Sequence, residues 1–413
     1  MRVEVQYGDG RETADIPDEN LGEIVNPKDL PPLDENTVLE GALKNPLGSQ
    51  TFEEFVKRAK DIIVVVNDAT RPTPTGRVLE SMMPLLVGKT VSYIIATGMH
   101  RAPTEDEFKF IFGPVYDRVK DRVIVHDSKT SETAFVGTSR NGTRLLLNRK
   151  VLDAHSIIVI SSVEPHYFAG YTGGRKSFLP GVSAYETIEQ NHKHALRLEA
   201  QALKLKGNPV HEDMEDMAKA LKDKRIFSVM VVLDKDHRIC HASAGHLKRS
   251  WRAAVKKADE VFVVKLKKKA DVVVAVTAFP YDIDLYQSQK ALDNAKYAVR
   301  DGGVIILVSA CRTGVGPETF LNLLASANTP KDVLEKISHT YKLGYHKAAK
   351  MAEIGLKCRM MAVTKLDPDI ARKAHMEPMP TLQAAVDEAI RGLGPKSKVT
   401  FIMDAVITVP KVQ

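Results

Sequence analysis

The chain has little of what marks several large classes of protein. Among its 413 residues, three are cysteine and one is tryptophan. Cys240, Cys311 and Cys358 show no Cys-x-x-Cys spacing and cannot all pair. That excludes a disulfide framework and predicts a cytoplasmic protein kept in a reducing compartment. Met1 to Tyr7 alternates like a strand and holds no apolar signal core. No apolar run approaches the roughly 20 residues that a membrane span needs. The net charge is +7, yet the lysines are scattered, and the densest run is Lys265–Lys269. With a single tryptophan and no interleaving of aromatic and basic residues, nucleic acid is excluded as a partner, whereas a small anion suits the charge. Neither an internal repeat nor a low-complexity segment is present.

What the chain does have is ordinary globular composition, 44% hydrophobic and 27% charged, at a length that predicts two or three domains. Short β-branched runs alternate with helical patterns. Asp61–Val66, Thr90–Ala96, Arg122–His126 and His155–Ile160 read as strands, and a helix is expected from about Thr75 to Leu86. Thr104-Glu-Asp-Glu107 has the form of a capping box opening another helix. Before these lie a short N-terminal strand, a Pro/Asp/Glu-rich connection over Asp15–Asp34, and helices around Asn36–Asn45 and Thr51–Ala59. Tyr185–Leu203 is expected as a helix, Phe227–Leu233 as a strand, and Ser250–Ala258 as a helix.

Such alternation predicts an α/β protein of two domains, each a mainly parallel sheet flanked by helices, with the active site in the cleft between them. The expected domains are residues 1–262, rejoined by a terminal hairpin or strand over 397–413, and residues 263–396. In the second, Ala270–Val276 and Gly302–Ser309 read as strands and a helix starts at about Leu285.

Polar clusters fall at the carboxyl ends of three first-domain strands, where open α/β sheets bind ligands: Asp68/Thr70/Arg71, His100/Arg101 and His166/Lys176. The last belongs to the stretch Glu164–Gly181, in which Gly170, Gly173 and Gly174 precede Lys176. Glycines let backbone N–H groups approach a phosphate, and the lysine adds charge or a nucleophilic amine. The stretch is not a nucleotide-hydrolase P-loop, because Arg175 separates Gly174 from Lys176. His211-Glu-Asp-Met-Glu215 reads as an acidic helix face rather than a metal site, and a zinc hydrolase built on His192, His194 and His211 lacks converging spacing.

Taken together, Asp68-x-Thr70-Arg71-Pro72, Gly98-x-His100-Arg101, Glu164-Pro-His166 with Gly170-x-x-Gly-Gly-x-Lys176, Asn191-His192-x-His194 and Tyr286-Gln287-x-x-Lys290 resemble the nickel-dependent lactate racemase family. The motifs span roughly residues 60–310, and the two-domain plan extends the likeness along the chain.

The resemblance implies a racemase or epimerase of a 2-hydroxy acid. In that family the C2 hydrogen leaves as hydride to a nickel-pincer nucleotide (a pyridinium-3-thioamide-5-thiocarboxylic acid mononucleotide) tethered to a lysine, here Lys176. It implies His192 as a protein ligand to nickel, and imidazole with sulfur suits that metal. His100 and His166 would be the two acid–base groups, and Arg71 would fork onto the substrate carboxylate. Gln287 and Lys290 would reach substrate or cofactor. Asp68 and Thr70 would orient cofactor or Arg71, and the Gly170/Gly173/Gly174 turn would take the phosphate. Cofactor-biosynthesis proteins become implied partners, and a homodimer is left open.

One departure concerns the aromatic set. The family places a second-domain tryptophan near the cofactor, whereas Trp251 lies before that domain, leaving Tyr341 or Tyr345 to substitute. Other readings remain: the same chemistry on malate, a larger 2-hydroxy acid or a sugar acid, or a non-catalytic nucleotide-binding homologue.

Overall fold

The computed structural model describes every residue except Asp29 and Pro32. The part of the expected Asp15–Asp34 connection that falls on these two lies outside the described residues. The chain divides into two compact units, Asp29–Val261 and a second one made of Met1–Lys28 with Phe262–Gln413.

The first unit is built on a six-stranded sheet. Its order is Ile239–Gly245, Arg225–Leu233, Ser156–Ser162, Asp61–Asn67, Thr90–Ala96 and Val123–Val125. All neighbours run parallel except the edge pair Arg225–Leu233 and Ile239–Gly245. Central strands of a parallel sheet are covered on both faces, which explains their near-continuous Val/Ile composition. Val64, Val65, Ile157, Ile158, Val159 and Ile160 are fully buried. Each such side chain contributes about 1.5–3 kcal/mol through removal from water. Helix Thr75–Leu86 packs Leu79 and Met82 against one face, beside Phe52 and Phe227, whose rings lie 5.2 Å apart. The expected capping box closes as read, with Thr104 and Glu107 exchanging bonds at the start of Glu105–Phe112.

This order positions the site. Asp61–Asn67 is followed through its helix by Thr90–Ala96 on one side, while Ser156–Ser162 lies on its other side. The connections diverge here, so the carboxyl ends of the three strands open a crevice at the topological switch point. Thr73 clamps it: its hydroxyl donates to Asn67 Oδ1 and lies against the Ser162 hydroxyl, both at 2.8 Å, and accepts from the Ser162 N–H at 3.1 Å.

The second unit holds an all-parallel sheet in the order Glu377–Met379, Arg359–Val363, Val299–Val308, Ala270–Val276, Val399–Ile402 and Leu21–Val25. Two boundary expectations are corrected. Residues 397–413 do not rejoin the first unit and form no hairpin. Val399–Ile402 inserts between Ala270–Val276 and Leu21–Val25, and Val409–Val412 pairs in parallel with Val263–Leu266. Nor do the first 28 residues belong with 29–262. Arg2–Tyr7 and Gly10–Asp15 form an antiparallel hairpin whose Val3, Val5 and Ala14 share a core with Val272 and Leu382. The physical reason is common to both: short strands take their place from partners far away in sequence.

Helix Tyr185–Lys193 is shorter than expected and gives way to a 3-10 turn at His194–Leu196. Among the described residues, no helix is long and apolar enough to cross a membrane.

Candidate active site

The loop after Asp61–Asn67 carries Asp68, Thr70 and Arg71 into the crevice. Asp68 Oδ1 accepts from the Thr70 N–H at 3.2 Å and the Thr70 hydroxyl at 2.7 Å, while Oδ2 meets His100 Nδ1 at 2.6 Å. Burial favours the neutral acid, yet His100, Arg71 and Thr70 together outweigh it and hold the Asp68 carboxyl down at about 2. An ionised carboxylate only accepts, so His100 carries a proton on Nδ1 and, in the neutral ring, its lone pair on Nε2. Arg71 donates to Thr70 O and Oγ1 at 3.1 and 3.3 Å, which extends the chain of contacts to Arg71–Thr70–Asp68–His100. Asp68 therefore orients His100 directly and Arg71 through Thr70.

His166 lies on a two-residue strand, Pro165–His166, paired antiparallel with Gly170–Tyr171. Its Nδ1 accepts the Ala169 N–H at 3.3 Å, which puts the neutral ring's proton on Nε2. The two histidines thus hold opposite tautomers, His100 with a basic Nε2 and His166 with an Nε2–H. Phe168 stands edge-on to His166 at 4.6 Å and to His192 at 5.1 Å, so one ring packs against both.

Lys176 sits in a 3-10 turn, Gly174–Ser177, directly after the glycines. Burial pulls its ammonium well below the usual lysine range, and Arg71 and Arg175 push the same way, against Glu164 and Asp68. These neighbours bring the Asp68/Arg71 loop and the Lys176 turn into one electrostatic environment. The His100 loop docks on the same segment, since Gly98 N donates to Gly181 O at 3.0 Å and Gly181 N to Lys176 O at 3.2 Å.

The glycines have a reason in the fold itself. Gly173 has φ +73°, and a Cβ there would stand 2.7 Å from Val163 Cγ2 and 2.8 Å from Ser162 O. A Cβ on Gly174 (φ +57°) would meet Trp251 at 2.9 Å, and one on Gly170 (φ +77°) would meet Lys204 O at 2.7 Å. The turn is pressed against protein on that side, so packing as well as φ requires glycine.

Several supporting residues escaped sequence reading. Trp251, on helix Leu247–Phe262, donates from Nε1 to Thr172 O at 2.8 Å, and the Arg175 guanidinium stacks on its ring at 3.9 Å. Arg175 then staples the turn by donating to Ala169 O, Thr172 O and Gly173 O, and to His211 Nδ1 at 3.0 Å. Only an Arg next to the glycines hinted at this, and its partners lie elsewhere in the sequence.

The His211–Glu215 stretch lies on helix Pro209–Ala220, with His211 and Asp213 both buried, Asp213 completely. His194 Nε2 lies 3.5 Å from Asp213, whereas His211 is held by Arg175. Among the described residues, no three His, Cys, Asp or Glu side chains are grouped to hold a metal.

In the second unit, helix Leu285–Ala295 starts at Asp284, whose side chain accepts from the Gln287 N–H at 2.7 Å. Gln287 and Lys290 are both buried, and the Lys290 ammonium donates to Gln287 Oε1 and stands 5.5 Å over the Tyr281 ring. Tyr341 and Tyr345 pack edge to face at 6.4 Å, and the Tyr341 hydroxyl lies 3.0 Å from His346 Nδ1.

Comparison with known proteins follows these features. The family profile described as lactate racemase N-terminal domain matches residues 7–203, and that described as lactate racemase C-terminal domain matches 265–409. The chain is 33% identical to a lactate racemase of Thermoanaerobacterium thermosaccharolyticum over 346 residues, 81% of this chain and 80% of that one. It is 30% identical to a lactate racemase of Lactiplantibacillus plantarum over the full length of both. The solved structure of the lactate racemase apoprotein from T. thermosaccharolyticum superposes with a TM-score of 0.91 at 30% identity over all of both chains. A Thermotoga maritima protein shares the fold, with a TM-score of 0.71 at 17% identity over 92% of this chain and 99% of that one. With both profiles matched and relatives aligned along most of its length, this chain belongs to the lactate racemase family.

Proposed function

We propose that the protein is a racemase or epimerase of a small 2-hydroxy acid that works on a nickel-pincer nucleotide tethered to Lys176. The observation that carries this reading is the Asp68–His100 contact at 2.6 Å in the same electrostatic environment as a buried lysine whose amine is driven toward its neutral form, with Asp68 and Arg71 acting on that lysine. A plain anion-binding site needs neither feature.

The residues present suit such a cofactor. A lysine with a depressed amine at the end of a tight turn is suited to covalent attachment. His192, with Nδ1 against Asn191 Oδ1 at 3.2 Å, directs its lone pair through Nε2, a donor that nickel accepts. A solved relative is described as an apoprotein, which fits an enzyme completed by a cofactor. When bound, the group would supply a reversible acceptor for the C2 hydride.

The chain's own residues supply the rest. Arg71, oriented by Thr70, would hold the substrate carboxylate, with Gln287 and Lys290 as further polar contacts to substrate or cofactor. His100 Nε2 would take the hydroxyl proton of one enantiomer, and the His166 ring, when protonated, would give a proton to the carbonyl oxygen that becomes the hydroxyl of the other. The roles exchange in the reverse direction. Asp68 would stabilise the His100 imidazolium while the proton resides there. The glycine turn would receive the nucleotide phosphate, and the three buried thiols accord with a cytoplasmic setting.

Intact mass of protein co-expressed with cofactor-making enzymes is the decisive measurement, joined to a chiral assay of lactate, malate and longer 2-hydroxy acids. An added mass lost in Lys176→Ala and interconversion of one of these acids are expected. An adduct that survives in Lys176→Ala, or a loaded protein inert toward every 2-hydroxy acid, would overturn the proposal.

A further inference from the structure

We infer that Asn191 and Asp213 form a relay that fixes the tautomer and ring plane of His192, so that Nε2 is presented to a metal. The inference rests on the reading of His192 as the nickel ligand, but its geometric half stands independently.

Asn191 is fully buried. Its Nδ2 donates to Val210 O at 3.2 Å and to Asp213 Oδ2 at 3.4 Å. Both partners accept only, so the amide cannot flip, and its oxygen must face His192 Nδ1 at 3.2 Å. An amide oxygen cannot donate. Nδ1 of His192 therefore bears the proton, and the lone pair is on Nε2.

Asp213 is locked in turn. Its Oδ1 accepts from Asn141 Nδ2 at 2.9 Å, and its Oδ2 accepts from the Thr143 hydroxyl. The helix that carries it begins at Asn208, which caps Val210 and His211 and donates from Nδ2 to Phe168 O at 2.8 Å. Phe168 then stands edge-on to His192. One buried residue, Asn208, thus seats both the relay and the ring that packs beside the ligand. Ligand histidines that donate their second nitrogen to a fixed acceptor typically lose 10–100-fold in metal affinity when that acceptor is removed.

The test substitutes Asn191→Leu, which removes the acceptor that faces His192 Nδ1 and leaves no polar atom there to fix the ring. In metal-free protein labelled with 15N-histidine, and with His192→Ala assigning the signal, wild type should show the Nδ1–H tautomer and Asn191→Leu should lose it in favour of the Nε2–H tautomer. In cofactor-loaded protein, Asn191→Leu should lose nickel to a chelator about 10–100-fold more readily, while the mass adduct on Lys176 remains.

Asp213→Asn keeps an oxygen that can accept from the Asn191 NH2 and, with Val210 O still in place, should retain the Nδ1–H tautomer, whereas Asp213→Leu removes that acceptor and should weaken it, a difference that mere packing would not predict. Wild-type His192 protonated on Nε2 overturns the relay without any variant. An unchanged tautomer or unchanged nickel retention in Asn191→Leu overturns it as well. If His192→Ala keeps wild-type nickel, the ligand assignment fails instead, and the tautomer measurement separates the two failures.

Discussion

The Asp68 carboxylate and the His100 imidazole meet at 2.6 Å through Oδ2 and Nδ1, at the point where the central sheet changes direction. That contact orients the ring, sets its tautomer and stabilises the charge it acquires on taking a proton. Asp68→Asn should keep the fold and much of the steric fit, yet no longer demand Nδ1–H. Turnover is expected to fall by about two to four decades with a smaller change in KM. Racemisation kinetics of the loaded variant check this, and a variant within threefold of wild type would remove Asp68 from the machinery.

The same pair has a signature in acid stability. The Asp68 pKa is lowered in the folded chain from 3.8 to about 2, so the unfolded chain binds the proton more readily. The stabilisation is therefore complete above about pH 4 and is lost as pH falls toward 2, amounting to about 2 kcal/mol. Urea unfolding of wild type and Asp68→Asn should show that the gap between them narrows from pH 7 to pH 2.5. A constant gap would contradict it.

His100 and His166 should both be indispensable but separable. Alanine at either position should cost about two to four decades in net interconversion. Because each histidine would serve the hydroxyl of one enantiomer, a stoichiometric amount of each loaded variant should still convert one enantiomer to the 2-keto acid, and the two variants should favour opposite enantiomers. Chiral analysis after a single turnover decides the matter, and loss of the same enantiomer in both would refute the division of roles.

Gly173→Ala tests the turn without touching a titratable group. The new Cβ would stand 2.7–2.8 Å from Val163 and Ser162 at a φ of +73°. A loss of about 3 kcal/mol in unfolding free energy is expected, together with reduced loading at Lys176. Wild-type stability by urea denaturation would show that the backbone there relaxes cheaply.

Reading the sequence went furthest where the signal is local. The runs at Asp61–Val66 and Ala270–Val276 named their own strands, because burial on both faces demands unbroken β-branched residues. The polar clusters at strand ends pointed to the crevice for the same reason. It went astray on Leu21–Val25 and Val399–Ile402, whose partner in the sheet is each other across almost the whole chain. It placed the His211–Glu215 stretch on a helix face but did not foresee that the Asp213 carboxylate is buried there, satisfied by Asn141, Thr143 and Asn191.

The sequence by itself determined the α/β class, the alternation of strand and helix, and which side chains stand at the strand ends, because these depend on periodicity and on neighbours within a few positions. Only the tertiary structure decided the hydrogen-bond partners of His100, His166 and His192, the depressed amine of Lys176 and the support given to its turn by Arg175 and Trp251. A tautomer follows from whether the facing atom accepts or donates, and that atom comes from another part of the chain. Hydrogen bonding and desolvation act across space, and the order of residues along the chain does not contain those distances.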